Sequence, residues 1–193
     1  MPLIVLDRDG VINQDSAGYI RGLQDWVPIP GSIEAMAALS RAGYSLAIAT
    51  NQSGLGRGYL GLDELEAIHT ELRRQVEALG GQVAGIFYCP HLPDDNCDCR
   101  KPATGLLQAI ATELGMSPRG AWFIGDSLKD LQAAQAFGCR PLLVRSGKGR
   151  ATEHQLHSPR PGLENPADIP VYADLAAAAR AILGGEPAVK RDR

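Results

Sequence analysis

The chain opens with four apolar residues, Leu3-Ile4-Val5-Leu6, that run straight into Asp7-Arg8-Asp9-Gly10. A short, unbroken apolar run closed by a turn signal is the mark of a strand buried on both faces, and such strands belong to parallel sheets. In an extended chain residues two apart point the same way, so Asp7 and Asp9 project from one side about 7 Å apart. Two like charges at the mouth of a buried strand repel unless a cation or a proton resolves them. The competing reading is a solvated turn carrying two surface acids, because strands often end in Asp and Gly.

The same construction recurs along the chain. Tyr44 to Ala49 reads as a second strand and delivers Thr50-Asn51-Gln52-Ser53-Gly54. Val83 to Tyr88 reads as a third, ending at Cys89, and Ala121 to Ile124 as a fourth, ending at Gly125-Asp126. Arg140 to Val144 is the fifth. Between them lie helical stretches: one opened by Pro30-Gly31-Ser32 and stopped by Gly43, an amphipathic one from Leu62 to Leu79, and others over Thr104–Leu114, Ser127–Phe137 and Asp174–Leu183. Strands alternating with helices predict an α/β fold, a parallel sheet with helices on both faces, in one domain spanning residues 1–193. Val11 to Pro30 is too long for a plain connector and reads as a functional flap. Arg145 to Pro170 reads as an irregular excursion, and Gly184 to Arg193 as a frayed tail.

Where the polar clusters fall decides between the two readings of Asp7 and Asp9. Four successive strands each end, on the carboxyl side, in a reactive group, and ligands of open α/β sheets bind outside that edge. The solvated-turn reading does not account for that coincidence. Asp7, Asp9 and Asp126 make a hard oxygen site suited to Mg²⁺, which shares its remaining positions with water and substrate phosphate. Thr50, Asn51 and Lys101 beside it supply donors to phosphate oxygens, as phosphoryl transfer requires.

The net charge of −3 argues against a nucleic-acid footprint. No apolar run approaches the ~20 residues that span a bilayer, and the first strand leaves no room for a signal peptide, so a cytoplasmic location is expected. In such a compartment the clustered cysteines point to metal and not to disulfides. Cys89-Pro90-His91 and Cys97-Asp98-Cys99 offer three thiolates and an imidazole, the closed four-ligand set of structural Zn²⁺, in a loop spanning 89–99. Since Cys99 directly precedes Arg100-Lys101, the metal would fix where those cations point.

The set LDRDG, ATNQSG, CRKP and GDSLKD, in that order from Leu3 to Asp130, resembles the four motifs of the haloacid dehalogenase superfamily of aspartyl-phosphate phosphatases. The resemblance implies a Rossmann-like three-layer sandwich with a minimal cap. It implies that Asp7 is the nucleophile that forms a phosphoaspartate and that Asp9 protonates the leaving alcohol and then activates water. Thr50 and Lys101 would hold the transferring phosphoryl group, and Asp126 with Asp7 and the backbone carbonyl of Asp9 would bind Mg²⁺. Asp130 is assigned to helix capping, or to orienting a lysine, ahead of direct ligation. With the zinc loop, TNQSGLGRGY and CDCRKP closely resemble the D-glycero-D-manno-heptose 1,7-bisphosphate 7-phosphatases, which serve lipopolysaccharide core precursor synthesis. Histidinol-phosphate phosphatases share the loop and are the alternative, and a zinc-stabilised module without catalysis is the alternative of another class.

By the heptose resemblance, Arg100 recognises the substrate, and Asp15, Ser16, Ala17 and Gly18 with Thr50, Asn51, Gln52 and Ser53 line its pocket. Arg57, with Arg145 or Lys148 behind it, is the candidate partner of a distal phosphate. Trp26 lies in the flap and is expected to close over the substrate. Trp122, Cys139 and His69 are read as packing residues, and His154 and His157 are assigned nothing. The expected partner is a phosphorylated sugar, the expected state a monomer.

Overall fold

The computed structural model describes residues 2–185. Its centre is a six-stranded sheet with all neighbours parallel, in the order β3-β2-β1-β4-β5-β6. The strands are β1 (Leu3–Leu6), β2 (Ser45–Asn51), β3 (Gly85–Cys89), β4 (Trp122–Gly125), β5 (Arg140–Val144) and β6 (Val171–Tyr172). Seven α-helices pack around it: α1 (Ser32–Arg41), α2 (Ser53–Gly56), α3 (Leu62–Ala78), α4 (Gly105–Leu114), α5 (Leu128–Phe137), α6 (Gly149–Leu156) and α7 (Leu175–Leu183).

Alternation along β1 divides the core into two layers. Ile4 and Leu6 pack with Met36, Ile68, Leu72 and Ile182 of α1, α3 and α7 on one face. Leu3 and Val5 join Leu107, Ile110 and Ala134 of α4 and α5 on the other. Every residue of β1 and β4 is buried, as a strand with helices on both faces must be. Because β1 pairs with β2 on one side and β4 on the other, the chain reverses its direction of winding there. The crevice opened by that reversal, outside the carboxyl ends of β1 and β4, is where such folds bind ligands.

Three sequence expectations change. Residues 145–170 are not irregular throughout: α6 lies within them, and β6 follows directly at Val171. The helix escaped notice because it starts at Gly149 and buries only Gly149, Thr152 and Leu156, too few for an apolar stripe. The strand is a two-residue edge after Pro170. The second strand, expected to end at Ala49, runs on through Thr50 and Asn51, and so carries their side chains to the site edge. Trp26 is not a lid: it is 6% exposed and belongs to the core layer with Ile12 and Ile20. Trp122 and His69 are buried as expected, and Cys139 is buried immediately before β5. The proposed frayed tail from residue 186 onward lies outside the described residues, whereas Gly184 and Gly185 follow the end of α7. No described helix is long and apolar enough to cross a membrane.

Candidate active site and cysteine knot

The end of β1 places Asp7 at the base of a pocket of about 640 Å³ on the carboxyl edge of the sheet. Its backbone N–H donates to the Ile124 carbonyl at 2.9 Å, which continues the β1–β4 pairing into the site. Lys101 reaches across from the loop after the cysteines and is 2% exposed. Its Nζ stands 2.9 Å from Asp7 Oδ1 and 2.6 Å from Asp130 Oδ1, and donates to the Ala49 carbonyl at 2.7 Å. Burial works against charge on this lysine, but the Asp130 and Asp7 carboxylates outweigh it and hold the ammonium protonated.

Asp126, from the end of β4, completes a group of three buried carboxylates with Asp7 and Asp130, whose ligand atoms lie within 4.8 Å of one another. Three carboxylates gather around the Lys101 ammonium, and the mismatch shows in the proton affinities of Asp7 and Asp126. Asp7 is raised well above the usual carboxylate range, first by burial and then by the Asp130 and Asp126 charges, against the pull of Lys101. Asp126 is raised to about 7 by burial and by Asp130, although the Lys148 backbone N–H donates to its Oδ2 at 2.8 Å. A hard divalent cation is the group that such an oxygen set lacks for charge balance. Space is kept for Asp126 by Gly10, whose φ is +85° and whose added Cβ would stand 2.1 Å from Asp126 Oδ2. Asp130 holds Lys101 and also caps α5, its Oδ2 accepting from Ser127 N–H at 3.0 Å and from Ser127 Oγ–H at 2.6 Å. Both expected roles of Asp130 are therefore met by one side chain, which also joins the carboxylate cluster.

Asp9 is handled differently. Its carboxylate accepts from Arg8 Nε at 3.0 Å, Asn13 Nδ2 at 2.9 Å and Gln52 Nε2 at 2.7 Å. Burial would raise its pKa, but the Arg8 charge and these hydrogen bonds bring it below the ordinary value. Arg8, wholly buried behind it, carried no assignment in the sequence reading. The signal was strand alternation, which sends residue 8 to the α3 face, away from the side of Asp7. There the charges of Arg8 and Arg73 add to burial in lowering His69 to about 4, so this imidazole is neutral.

Gln52 Nε2 also donates to Thr50 Oγ1 at 2.9 Å, which leaves the Thr50 hydroxyl proton for a ligand. Asn51 is bound up with the lysine segment: its Nδ2 donates to the Lys101 carbonyl at 3.1 Å and its Oδ1 accepts from Lys101 N–H at 3.0 Å. Asp15, Ser16, Ala17, Ser53 and Arg100 line the pocket with them, as do Lys129 and Lys148, but Gly18 and Arg57 do not. Arg57 lies against the Tyr19 ring at 6.0 Å. Arg145 is bound in a two-pronged pair with Glu153 at 2.6 and 2.7 Å, so it is not available to a distal phosphate. Lys148 pairs with Asp15 at 2.9 Å across the pocket mouth. Two larger hollows, of about 770 and 740 Å³, lie around Trp122 and Arg140 at the amino edge of the sheet and gather no comparable set of groups.

The four expected ligands of the cysteine loop converge. Cys89 Sγ, His91 Nδ1, Cys97 Sγ and Cys99 Sγ lie within 4.8 Å of one another, and five of the separations run from 3.1 to 3.6 Å. A tetrahedral ion with bonds of about 2.3 Å to sulfur would set edges of about 3.8 Å, close to these. All four cysteines of the chain are free thiols, and burial pushes Cys89 up to about 12. The Cys89 carbonyl accepts from Gln52 N–H at 2.8 Å, the Pro90 carbonyl from Gly56 N–H at 3.1 Å and the Asp98 carbonyl from Gly105 N–H at 2.9 Å. The knot is thereby tied to the junction of β2 and α2, to α2 and to α4, the segments around Thr50 and Lys101.

Residues 3–136 match the family of polynucleotide kinase 3 phosphatases, and residues 98–178 match the HAD-hydrolase-like family. Two relatives named D-glycero-beta-D-manno-heptose-1,7-bisphosphate 7-phosphatase share half of the sequence. That of Pseudomonas aeruginosa is 52% identical over 94% of this chain and 97% of its own, and that of Pseudomonas putida 51% identical over 95% and 100%. The crystal structure of D,D-heptose 1,7-bisphosphate phosphatase from B. bronchiseptica, complexed with magnesium and phosphate, superposes with a TM-score of 0.87 at 45% identity over 95% of this chain and 99% of that one. Alike in fold, in motif order and in nearly the whole of their length, these proteins and the present chain belong together, and the chain is a member of the haloacid dehalogenase-like phosphatases.

Proposed function

We infer that this phosphatase removes the 7-phosphate of D-glycero-D-manno-heptose 1,7-bisphosphate, the β anomer in particular, and leaves the 1-phosphate in place. One observation carries the reading. The cluster of Asp7, Lys101, Asp126 and Asp130 lies in a pocket also lined by Arg100 and Lys129, with Lys148 paired to Asp15 beside them, in a chain that shares half its residues with enzymes named for this reaction. A bisphosphate needs cations both at the reacting end and at the rim. Histidinol phosphate, with a cationic amine in place of the second phosphate, would be repelled by that rim.

In this reading Asp7 attacks phosphorus, and the ester P–O bond breaks with its electron pair going to the leaving oxygen. That oxygen takes a proton from Asp9, which later draws a proton from the water that cleaves the phosphoaspartate. Asp9 rests as a carboxylate held by its donors, and the dianionic phosphate entering beside it raises its proton affinity. Thr50 and Lys101 hold the phosphoryl oxygens. Asp7, Asp126 and the Asp9 carbonyl would hold Mg²⁺, which supplies charge neutralisation for the transferring group. Cys89, His91, Cys97 and Cys99 would hold a structural Zn²⁺, whose four protein ligands leave no open position for catalysis. The enzyme works in the cytoplasm as a single-domain monomer.

The test is phosphate release across both heptose bisphosphate anomers, histidinol phosphate and simple sugar bisphosphates, with the position of the retained phosphate read by ³¹P NMR. Preference for histidinol phosphate, or loss of the 1-phosphate, would overturn the assignment.

A further inference from the structure

Arg8 lies between the two catalytic aspartates and none of the roles above uses it. It is the largest wholly buried side chain, at 0% exposure. A guanidinium stripped of water needs acceptors, and here Nε and Nη2 find theirs in Asp9 while Nη1 has none among the described residues. Nε donates to Oδ1 at 3.0 Å and Nη2 to Oδ2 at 3.1 Å, a two-pronged grip. The Arg8 backbone N–H donates to Asp7 Oδ1 at 2.8 Å, and its carbonyl accepts from Ile12 and Asn13 N–H at 2.8 and 3.2 Å. One residue thus touches both carboxylates and anchors the turn that follows them.

A buried ion pair adds little stability over an apolar filling of the same shape, so stability alone gives no reason for an arginine at this place. Geometry does. The Asp9 carboxylate is gripped from the core side by Arg8, and Asn13 and Gln52 reach it from the flap and from the junction of β2 and α2. Its side chain is 22% exposed, while that of Arg8 is wholly enclosed. We propose that Arg8 is a positioning residue: its guanidinium fixes the direction in which the Asp9 carboxyl faces the leaving oxygen, and so sets the efficiency of leaving-group protonation. The proposal rests on the reading of Asp9 as the acid.

Leaving-group dependence separates this from a packing role. As the Asp7–phosphorus bond forms and the ester bond breaks, an alkoxide needs a proton, whereas p-nitrophenolate departs without one. kcat/KM covers the chemistry only up to formation of the phosphoenzyme, so the later activation of water does not enter it. The measurement is kcat/KM for Arg8→Met, Arg8→Lys and Asp9→Asn on heptose bisphosphate and on p-nitrophenyl phosphate. For Arg8→Met the sugar substrate should lose on the order of 10- to 100-fold, and the aryl substrate less than about 3-fold. Arg8→Lys keeps the charge without the fork and should show a smaller bias of the same sign, which also serves if the methionine variant does not fold. Asp9→Asn should show the largest bias. If it shows none, the acid reading of Asp9 falls and the role of Arg8 with it. If Asp9→Asn is biased while the Arg8 variants are not, or lose both substrates equally, the Arg8 proposal alone is overturned.

Discussion

Replacing Lys101 by methionine keeps the volume of the side chain and removes one charge from the most charge-dense part of the molecule. In the folded protein that ammonium faces Asp7, Asp130 and the Ala49 carbonyl, all within 2.9 Å, and is nearly sealed from solvent. Breaking a buried pair by removing one partner costs about 3–5 kcal/mol, because the other charge is left uncompensated. For a domain of this length that corresponds to roughly 10 °C in melting temperature. The sign of the pH dependence follows from linkage. Lys101 has a raised folded-state pKa, so its contribution is complete below the ordinary lysine range and is lost only as pH rises through the folded value. Without it, Asp7, already raised in the native state, binds its proton more tightly still. The folded variant then takes up protons that the unfolded chain does not, and its deficit shrinks as pH falls toward the ordinary carboxylate range. Urea unfolding of wild type and Lys101→Met at about pH 7.5 and about pH 5, without added metal, measures both quantities. Equal stability at the higher pH, or a deficit that does not narrow at the lower one, would refute the reasoning.

Asp7→Asn should lower phosphate release by at least roughly 10³-fold with the circular dichroism spectrum unchanged, since an amide cannot serve as nucleophile, and wild-type-like turnover would sink the covalent route. Chelation that yields demonstrably zinc-free protein should lower the melting temperature by about 5 °C or more and speed amide exchange over residues 89–101; an unchanged melt would remove the structural role of the knot. The Asp126 proton, with a folded-state pKa raised to about 7, competes with a divalent cation. Apparent Mg²⁺ affinity, read by thermal shift, should therefore weaken from about pH 8 to about pH 6 by up to tenfold per unit, and a flat profile would contradict it. Gly10→Ala should cost at least about 1 kcal/mol for its positive φ and displace Asp126, so that Mg²⁺ no longer raises the melting temperature.

The sheet and the place of the candidate site were legible because both follow from local rules. Buried parallel strands are uninterrupted apolar runs, and a carboxylate, hydroxyl or thiol directly after such a run must sit on the carboxyl edge. What stayed hidden depends on contacts between segments distant in sequence. Arg145 looked available for phosphate until Glu153, one helix on, claimed it. Asn51 looked like a donor to ligand, yet its amide is matched to the Lys101 backbone fifty residues away. Trp26 sits in a segment without periodicity, where nothing in the sequence tells a lid from a plug. The burial of Arg8 was within reach through strand alternation, but its partner Asp9 was already spoken for as an acid.

The meeting of Gly10 with Gly147 carries a consequence for how the molecule comes into being. Ser146 Oγ–H donates to the Gly10 carbonyl at 2.7 Å across 136 residues, the Lys148 N–H fastens Asp126, and a Cβ on Gly147 would stand 2.5 Å from the Gly10 Cα. A ribosome making this chain releases the Asp7 strand first, and the segment that fastens Asp126 begins 136 residues after Gly10. Contacts closing such long loops are the slow ones to form. A fragment ending before residue 145 therefore lacks Ser146, Gly147 and Lys148, the residues that join the Gly10 turn to Asp126.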